Sequence, residues 1–351
     1  MSDFVGEDLA SGQALEGTFV KYFAHLFLVD EYGHRLAAAL NPKGNPNEKR
    51  IVDVITKLST SGAGPYTQTR MAVHRDCDCP VHLTWDPCLV MFNTTVEEPL
   101  WGGMGSGHVN DGSMARHLFF KSGNDYPDNV RGVPHFEKRL PEMVERAERV
   151  IGASQGNVAL FSHIASLKAC YTEPDKKGSR TRLQPLEPQL ITLPVDADAA
   201  AELDCLSDEQ TVMLRQADSC GALIGRMVEH ATRLALICAV SESPEAPTMT
   251  ARHVLWGEAV AKWSLDTALR AAAEHVADTP HQANRNKLLR DVRRVSKGGW
   301  VTARDVTRAS TWSNSRDRGL LLFELVDLGL VEKRPAPRVS GQATSEYRCR
   351  S

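Results

Sequence analysis

Asp30 and Glu31 close the apolar run Leu26-Phe27-Leu28-Val29 and are followed by an aromatic residue and a glycine. A buried parallel strand that delivers two carboxylates to the edge of a sheet reads this way. Nucleotide hydrolases use such a pair to hold Mg²⁺ and to polarise a water. The phosphate loop that normally accompanies it, G-x-x-x-x-G-K-[ST], has no counterpart, because the chain contains no Gly-Lys dipeptide. The stretch SGAGPYT, residues 61–67, has the glycines but no lysine, and it follows the acidic strand. The plain alternative for Asp30-Glu31 is a core strand that ends in surface carboxylates.

Residues 1–165 read as α/β and would position this pair. FAHLFLVD, CLVMFNTT and ARHLFFKS are three expected strands, and NEKRIVDVITKLS is an amphipathic helix. In open parallel sheets chemistry gathers at the carboxyl ends of strands, so Asp30-Glu31, Asn93-Thr94-Thr95 and the surroundings of Arg116 are expected to converge. Residues 166–215, rich in Pro, Asp and Lys, read as a connection. Residues 216–281 read as a helical connector of two long helices, the second opened by a Thr that can cap it.

Charge is unevenly spread. Residues 282–351 carry 15 Lys/Arg against 7 Asp/Glu, a net of +8, which leaves 26 against 37 and −11 for residues 1–281. A basic end on an acidic body suits a polyanionic partner. The same 70 residues read as helix, short extended piece, helix, longer helix and two strands around a Pro/Gly/Ser loop. That order, with GWVTARDVTRA and LVDLGLVEKR, resembles a winged-helix domain. DNA is then the expected partner, met by Arg304 and Arg308 on the second helix, Arg316 and Arg318 on the third, and Lys333, Arg334 and Arg338 on the wing. A protein-packing module with a solvated basic face is the other reading.

Taken in order, HLFLVDEYGHRL, WDPCLVMFNTTVEEPLWGGM, DGSMARHLFF and EHATRLALICAV resemble the RecA-like P-loop ATPase module of phage- and plasmid-encoded primase–helicases, over roughly residues 8–270. The resemblance implies a partial RecA-like α/β core lacking its phosphate loop. It implies that Asp30 holds Mg²⁺ through water, that Glu31 orients the attacking water, and that Asn93, with Thr94, senses the γ-phosphate. It implies that Arg116 stabilises charge in its own site or in that of a neighbouring subunit of a homo-oligomer. Mg²⁺ and ATP would bind once an upstream primase or phosphate-loop polypeptide completes the site. The implied function is DNA replication of a mobile element, with little ATPase activity by this chain alone. The alternative is a non-enzymatic DNA-binding or adaptor protein that retains the architecture.

Other constellations are weaker. His74, Cys77, Cys79 and His82, with Cys88 nearby, could chelate zinc, but the C-x-C spacing departs from that of structural zinc sites, and a reduced loop with incidental thiols is the preferred reading. The cluster Lys176-Lys177-Gly178-Ser179-Arg180 reads as a solvated linker, and His230 and Arg233 as the polar edge of a helix. No Ser/His/Asp or Cys/His nucleophile pattern appears. Without an 18-residue apolar run or a basic-then-apolar leader, the expectation is a cytoplasmic protein with no membrane partner. The eight cysteines are then reduced thiols.

Overall fold

A computed structural model describes residues 5–6, 11–21, 24–40, 45–60, 65–67, 83–85, 87–102, 104–122, 141–153, 191–217, 220–336 and 345–350. The protein is mixed α/β, mostly helical with small sheets. It divides into two compact units, residues 1–96 with 108–269, and residues 97–107 with 270–351.

In the first unit, β1 (Val5–Gly6), α1 (Gly12–Lys21), β2 (Ala24–Val29), α2 (Tyr32–Leu40), α3 (Pro46–Thr60), β3 (Pro65–Thr67), β4 (Leu83–Trp85) and β5 (Cys88–Asn93) follow one another. β1, β2 and β5 form a parallel sheet in that order, with Leu26 opposite Val90 and Val29 opposite Asn93. β2 buries His25, Phe27 and Val29 and leaves Leu28 exposed. β5 alternates exposed residues, Val90 and Phe92 among them, with half-buried ones, so neither strand is buried on both faces. α3 follows its apolar spacing and buries Val54, Ile55 and Leu58.

The segment ARHLFFKS is not a strand. It begins inside a 3₁₀ turn at Met114–Arg116 and continues outside the described sheets, with the Phe119 N–H donating to Ser264 Oγ at 2.7 Å. A side-chain hydroxyl takes the place of a ladder partner there.

Further along come α4 (Pro141–Gly152), α5 (Ala197–Gln216), α6 (Met227–Glu242) and α7 (Ala251–His275). α5 lies in the expected connection. Its alanines favour helix, and Asp196 caps it by accepting from the Ala199 N–H at 2.7 Å. The first expected long helix is interrupted at Gly225-Arg226, which separates one turn at Gly221–Ile224 from α6. α6 and α7 approach closely at Gly257, where a Cβ would fall against the Ala231 carbonyl and 3.1 Å from the Ala235 nitrogen.

The second unit contains the short helix Glu97–Trp101, the end of α7, then α8 (Pro280–Ser296), β6 (Val301–Thr302), α9 (Ala303–Ala309), α10 (Ser315–Asp327), β7 (Val331–Pro335) and β8 (Ser345–Cys349). Each of its later helices has a side-chain cap at its start, and α8 begins four residues before the expected Asn284. Thr279 caps α8 with Pro280 behind it, Thr302 and Asp305 form a reciprocal capping box on α9, and Asn314 caps α10. Gly329, at φ 69°, turns the chain out of α10 into β7. The antiparallel sheet has the order β6-β8-β7. Leu288 and Val292 of α8, Val306 of α9 and Leu321 and Leu325 of α10 pack with Val331, Tyr347 and Cys349 of the sheet. Among the described residues no helix is long and apolar enough to cross a membrane.

Candidate functional site

β2 and β5 end side by side, and their exits are tied together. The Thr94 N–H donates to the Val29 carbonyl and the Tyr32 N–H to the Thr94 carbonyl, each at 3.0 Å. The Thr94 hydroxyl donates to Asp30 Oδ1, which also accepts from the Glu31 N–H at 2.9 Å. These bonds, the hydroxyl first, hold the exposed Asp30 carboxyl below its ordinary range, so it is ionised at neutral pH. Glu31 is exposed and sits at φ 51°, a left-handed conformation that is costly for a side chain other than glycine. Asn93 is half-buried, and its Oδ1 has no hydrogen-bond partner among the described residues. Asp30, Glu31, Asn93 and Thr94 therefore meet at one sheet edge.

The opening of α2 is already satisfied. The Tyr32 and Gly33 N–H groups are taken by the Thr94 carbonyl and by Thr95 Oγ1, at 3.0 Å each. Those donors are not available to a phosphate. Asp30 suits a hard cation such as Mg²⁺, which prefers carboxylate and water oxygens. The triphosphate lacks a cradle among the described residues, so ATP fits only in part.

Arg116 lies near this edge through its neighbour His117, whose ring stands 5.7 Å from that of Tyr32, centre to centre. The Arg116 guanidinium donates to the Gly112 carbonyl, and no hydrogen bond or ion pair joins it to Asp30, Glu31 or Asn93 among the described residues. It belongs to a second cluster with Arg226, Arg233, Glu229 and Asp111. Burial, then the nearby Arg226 charge, pushes its pKa down. Glu229 receives both Arg226 and Arg233, the latter at 2.6 Å. Burial works against the Glu229 charge, but these two arginines keep its carboxyl below the ordinary range. His230, which bonds the Ala115 carbonyl at 2.8 Å, ties α6 to the 3₁₀ turn and is held neutral by burial. Arg226, Glu229 and Arg233 form an i, i+3, i+7 series in the sequence, a signal that His230 and Arg233 alone do not reveal.

SGAGPYT ends in β3, and its Tyr66 hydroxyl donates to buried Glu16 Oε1 at 2.6 Å. Arg50 donates to the other oxygen at 2.8 Å. This is a packing device joining α1, α3 and β3.

In the second unit Arg304, Arg308 and Arg316 are exposed, as is Lys333, and none forms an ion pair among the described residues. Arg318 is turned inward. It is buried and donates to the Ser310 and Ser313 carbonyls at 2.9 and 2.7 Å, so it fixes the turn before α10 rather than reaching the surface. Arg334 pairs with Glu346 and lies 4.2 Å from the Trp300 ring centre, with Arg348 at 4.8 Å from the same ring. Arg338, the residues His74, Cys77, Cys79 and His82, and the 176–180 cluster lie outside the described residues.

No protein-family model matches the chain, and no curated protein matches it.

Proposed function

We propose that the chain is an ATPase-like protein of DNA replication in a phage, plasmid or other mobile element. In this reading it has a partial RecA-like core and a C-terminal winged helix that contacts DNA. One observation carries the reading: two adjacent parallel strands end together at Asp30 and at Asn93-Thr94, with the Thr94 hydroxyl bonded to Asp30. That is where open α/β sheets place their chemistry. The cluster of Arg116, Arg226 and Arg233 around one glutamate supports an anionic ligand in the same unit. An ionised, exposed Asp30 is suited to Mg²⁺. A phosphate cradle would come from another polypeptide, and no hydrolytic step is assigned to this chain alone.

The test is Mg²⁺-dependent ATP binding and turnover by the purified protein, with and without single-stranded DNA and with the upstream polypeptide added. Turnover abolished by Glu31→Gln supports the reading. Neither binding nor turnover under any of these conditions removes its nucleotide half. For the DNA half, Arg304→Ala, Arg308→Ala and Arg316→Ala together should lower the salt slope of binding by about 0.9 for each phosphate no longer neutralised. An unchanged slope would remove it.

The adaptor reading is favoured by a different feature. The outward face of α10 carries Leu320 and Phe323, 60% and 73% exposed, where a base-reading helix would be polar. Arg316 precedes Leu320 by one turn and Asp327 follows Phe323 by one turn. Against an antiparallel second copy, Arg316 would face Asp327, and Leu320 would face Phe323. Gly319, with open space where a Cβ would stand, lets that helix approach. A dimer in sedimentation that Phe323→Asp splits, with DNA affinity kept, would make this the better reading.

A further inference from the structure

His275, at the end of α7, is buried to 7% exposure, and its imidazole makes no hydrogen bond among the described residues. Nδ1 is enclosed without a partner, while Nε2 faces Glu97 Oε1 at 3.8 Å. His253, equally buried, shows what a satisfied histidine in this protein looks like. Its Nδ1 meets Thr250 at 3.1 Å and its Nε2 meets Glu242 at 2.6 Å. A buried imidazole with Nδ1 unpartnered and Nε2 held only at ion-pair distance from a carboxylate calls for another explanation.

We propose that Glu97, Glu274 and His275 form a site for a divalent transition-metal ion of the zinc class, a proposal independent of the nucleotide reading. One donor atom from each residue lies within 4.8 Å of the others. Donors around a tetrahedral zinc, with bonds of about 2.0–2.1 Å, sit roughly 3.4 Å apart, so small side-chain rotations close the site. Imidazole with carboxylates is a donor set that zinc accepts, and burial favours the neutral, ligating form of His275. Glu274 also holds Arg293, and Arg290 donates to its carbonyl at 2.7 Å, so these cations moderate the charge of the two carboxylates. The ion would pin the short helix Glu97–Trp101 to the end of α7, two segments far apart in the chain.

The experiment is titration of untagged, EDTA-treated full-length protein with Zn²⁺ by calorimetry and with Co²⁺ by visible absorption. The expected result is one ion per chain, a Tm raised by zinc, and a cobalt spectrum without the intense thiolate-to-metal band. Glu97→Gln and Glu274→Gln, at partly exposed positions where folding should survive, should each weaken zinc by about tenfold or more. No stoichiometric binding overturns the proposal. So does binding that is unchanged in both glutamine variants, or that is lost in Cys77→Ser/Cys79→Ser, which would put the ion on the His74–His82 segment.

Discussion

At the scale of single residues, one exacting polar arrangement lies away from the sheet edge. Glu16 is 1% exposed and is held between the Arg50 guanidinium and the Tyr66 hydroxyl. A buried carboxylate costs several kcal/mol in desolvation, and its cation and donors must offset that cost. Arg50→Met should therefore destabilise the first unit by about 3 kcal/mol, read as a lower denaturation midpoint in urea. Combining it with Glu16→Gln should restore part of that loss, because the charge is removed with its partner. Nothing in the spacing of Glu16, Arg50 and Tyr66 announces this contact. Three segments must fold before those residues meet, and a lone acidic residue in an amphipathic helix reads as solvated.

At the scale of elements, α6 and α7 come together because position 257 has no side chain. Gly257→Ala would drive a Cβ into the Ala231 backbone, which cannot rotate away as a side chain can. A loss of about 1–3 kcal/mol is expected, despite the better helix propensity of alanine. Thermal denaturation of the variant checks the sign, and a Tm above that of the parent would refute the close approach. Elements with strong local signals are legible in the sequence. β2 and β5 follow from their apolar runs, α3 from its periodicity, and the second unit from its order of helices and strands, although α8 begins at Pro280, inside a stretch that reads as a break. Elements decided by distant partners are not. Residues 117–122 have the composition of a strand, yet Phe119 finds Ser264 instead of a ladder. α5 is hidden because Asp and Pro near 174–196 outweigh an alanine-rich helix capped by Asp196. The site follows the same division. Asp30, Asn93 and Thr94 sit where strand ends must put them, whereas the inward turn of Arg318 and the meeting of Glu97 with His275 depend on tertiary packing.

At the scale of the whole molecule, protonation should act on folding in two stages. His117 and His230 are half-buried in the first unit, and desolvation lowers the pKa of each. The folded state keeps them neutral while the unfolded chain takes up protons near pH 6.5, so stability is full above that value and falls as the pH drops through it. A carboxylate stage follows. Glu242 is held down to about 2, first by Arg252 and then by His253, so its contribution is present above its ordinary pKa near 4.5 and fades as the pH falls toward 2. The Tm should therefore decline as the pH drops through about 6.5 and again below about pH 4.5. His117→Gln with His230→Gln should flatten the first decline alone, and an unchanged profile would show that these imidazoles already find protons in the folded state.

The stacking of Arg334 and Arg348 on Trp300 gives the second unit an optical signal of its own. Two guanidiniums over one indole alter the emission of that ring, and Arg334 is also among the residues expected to meet DNA. In a chain reduced to Trp300 as its single tryptophan, a polyanion that draws Arg334 away would change the fluorescence during mixing. Association would then be followed in real time, without a label, from the side of the protein.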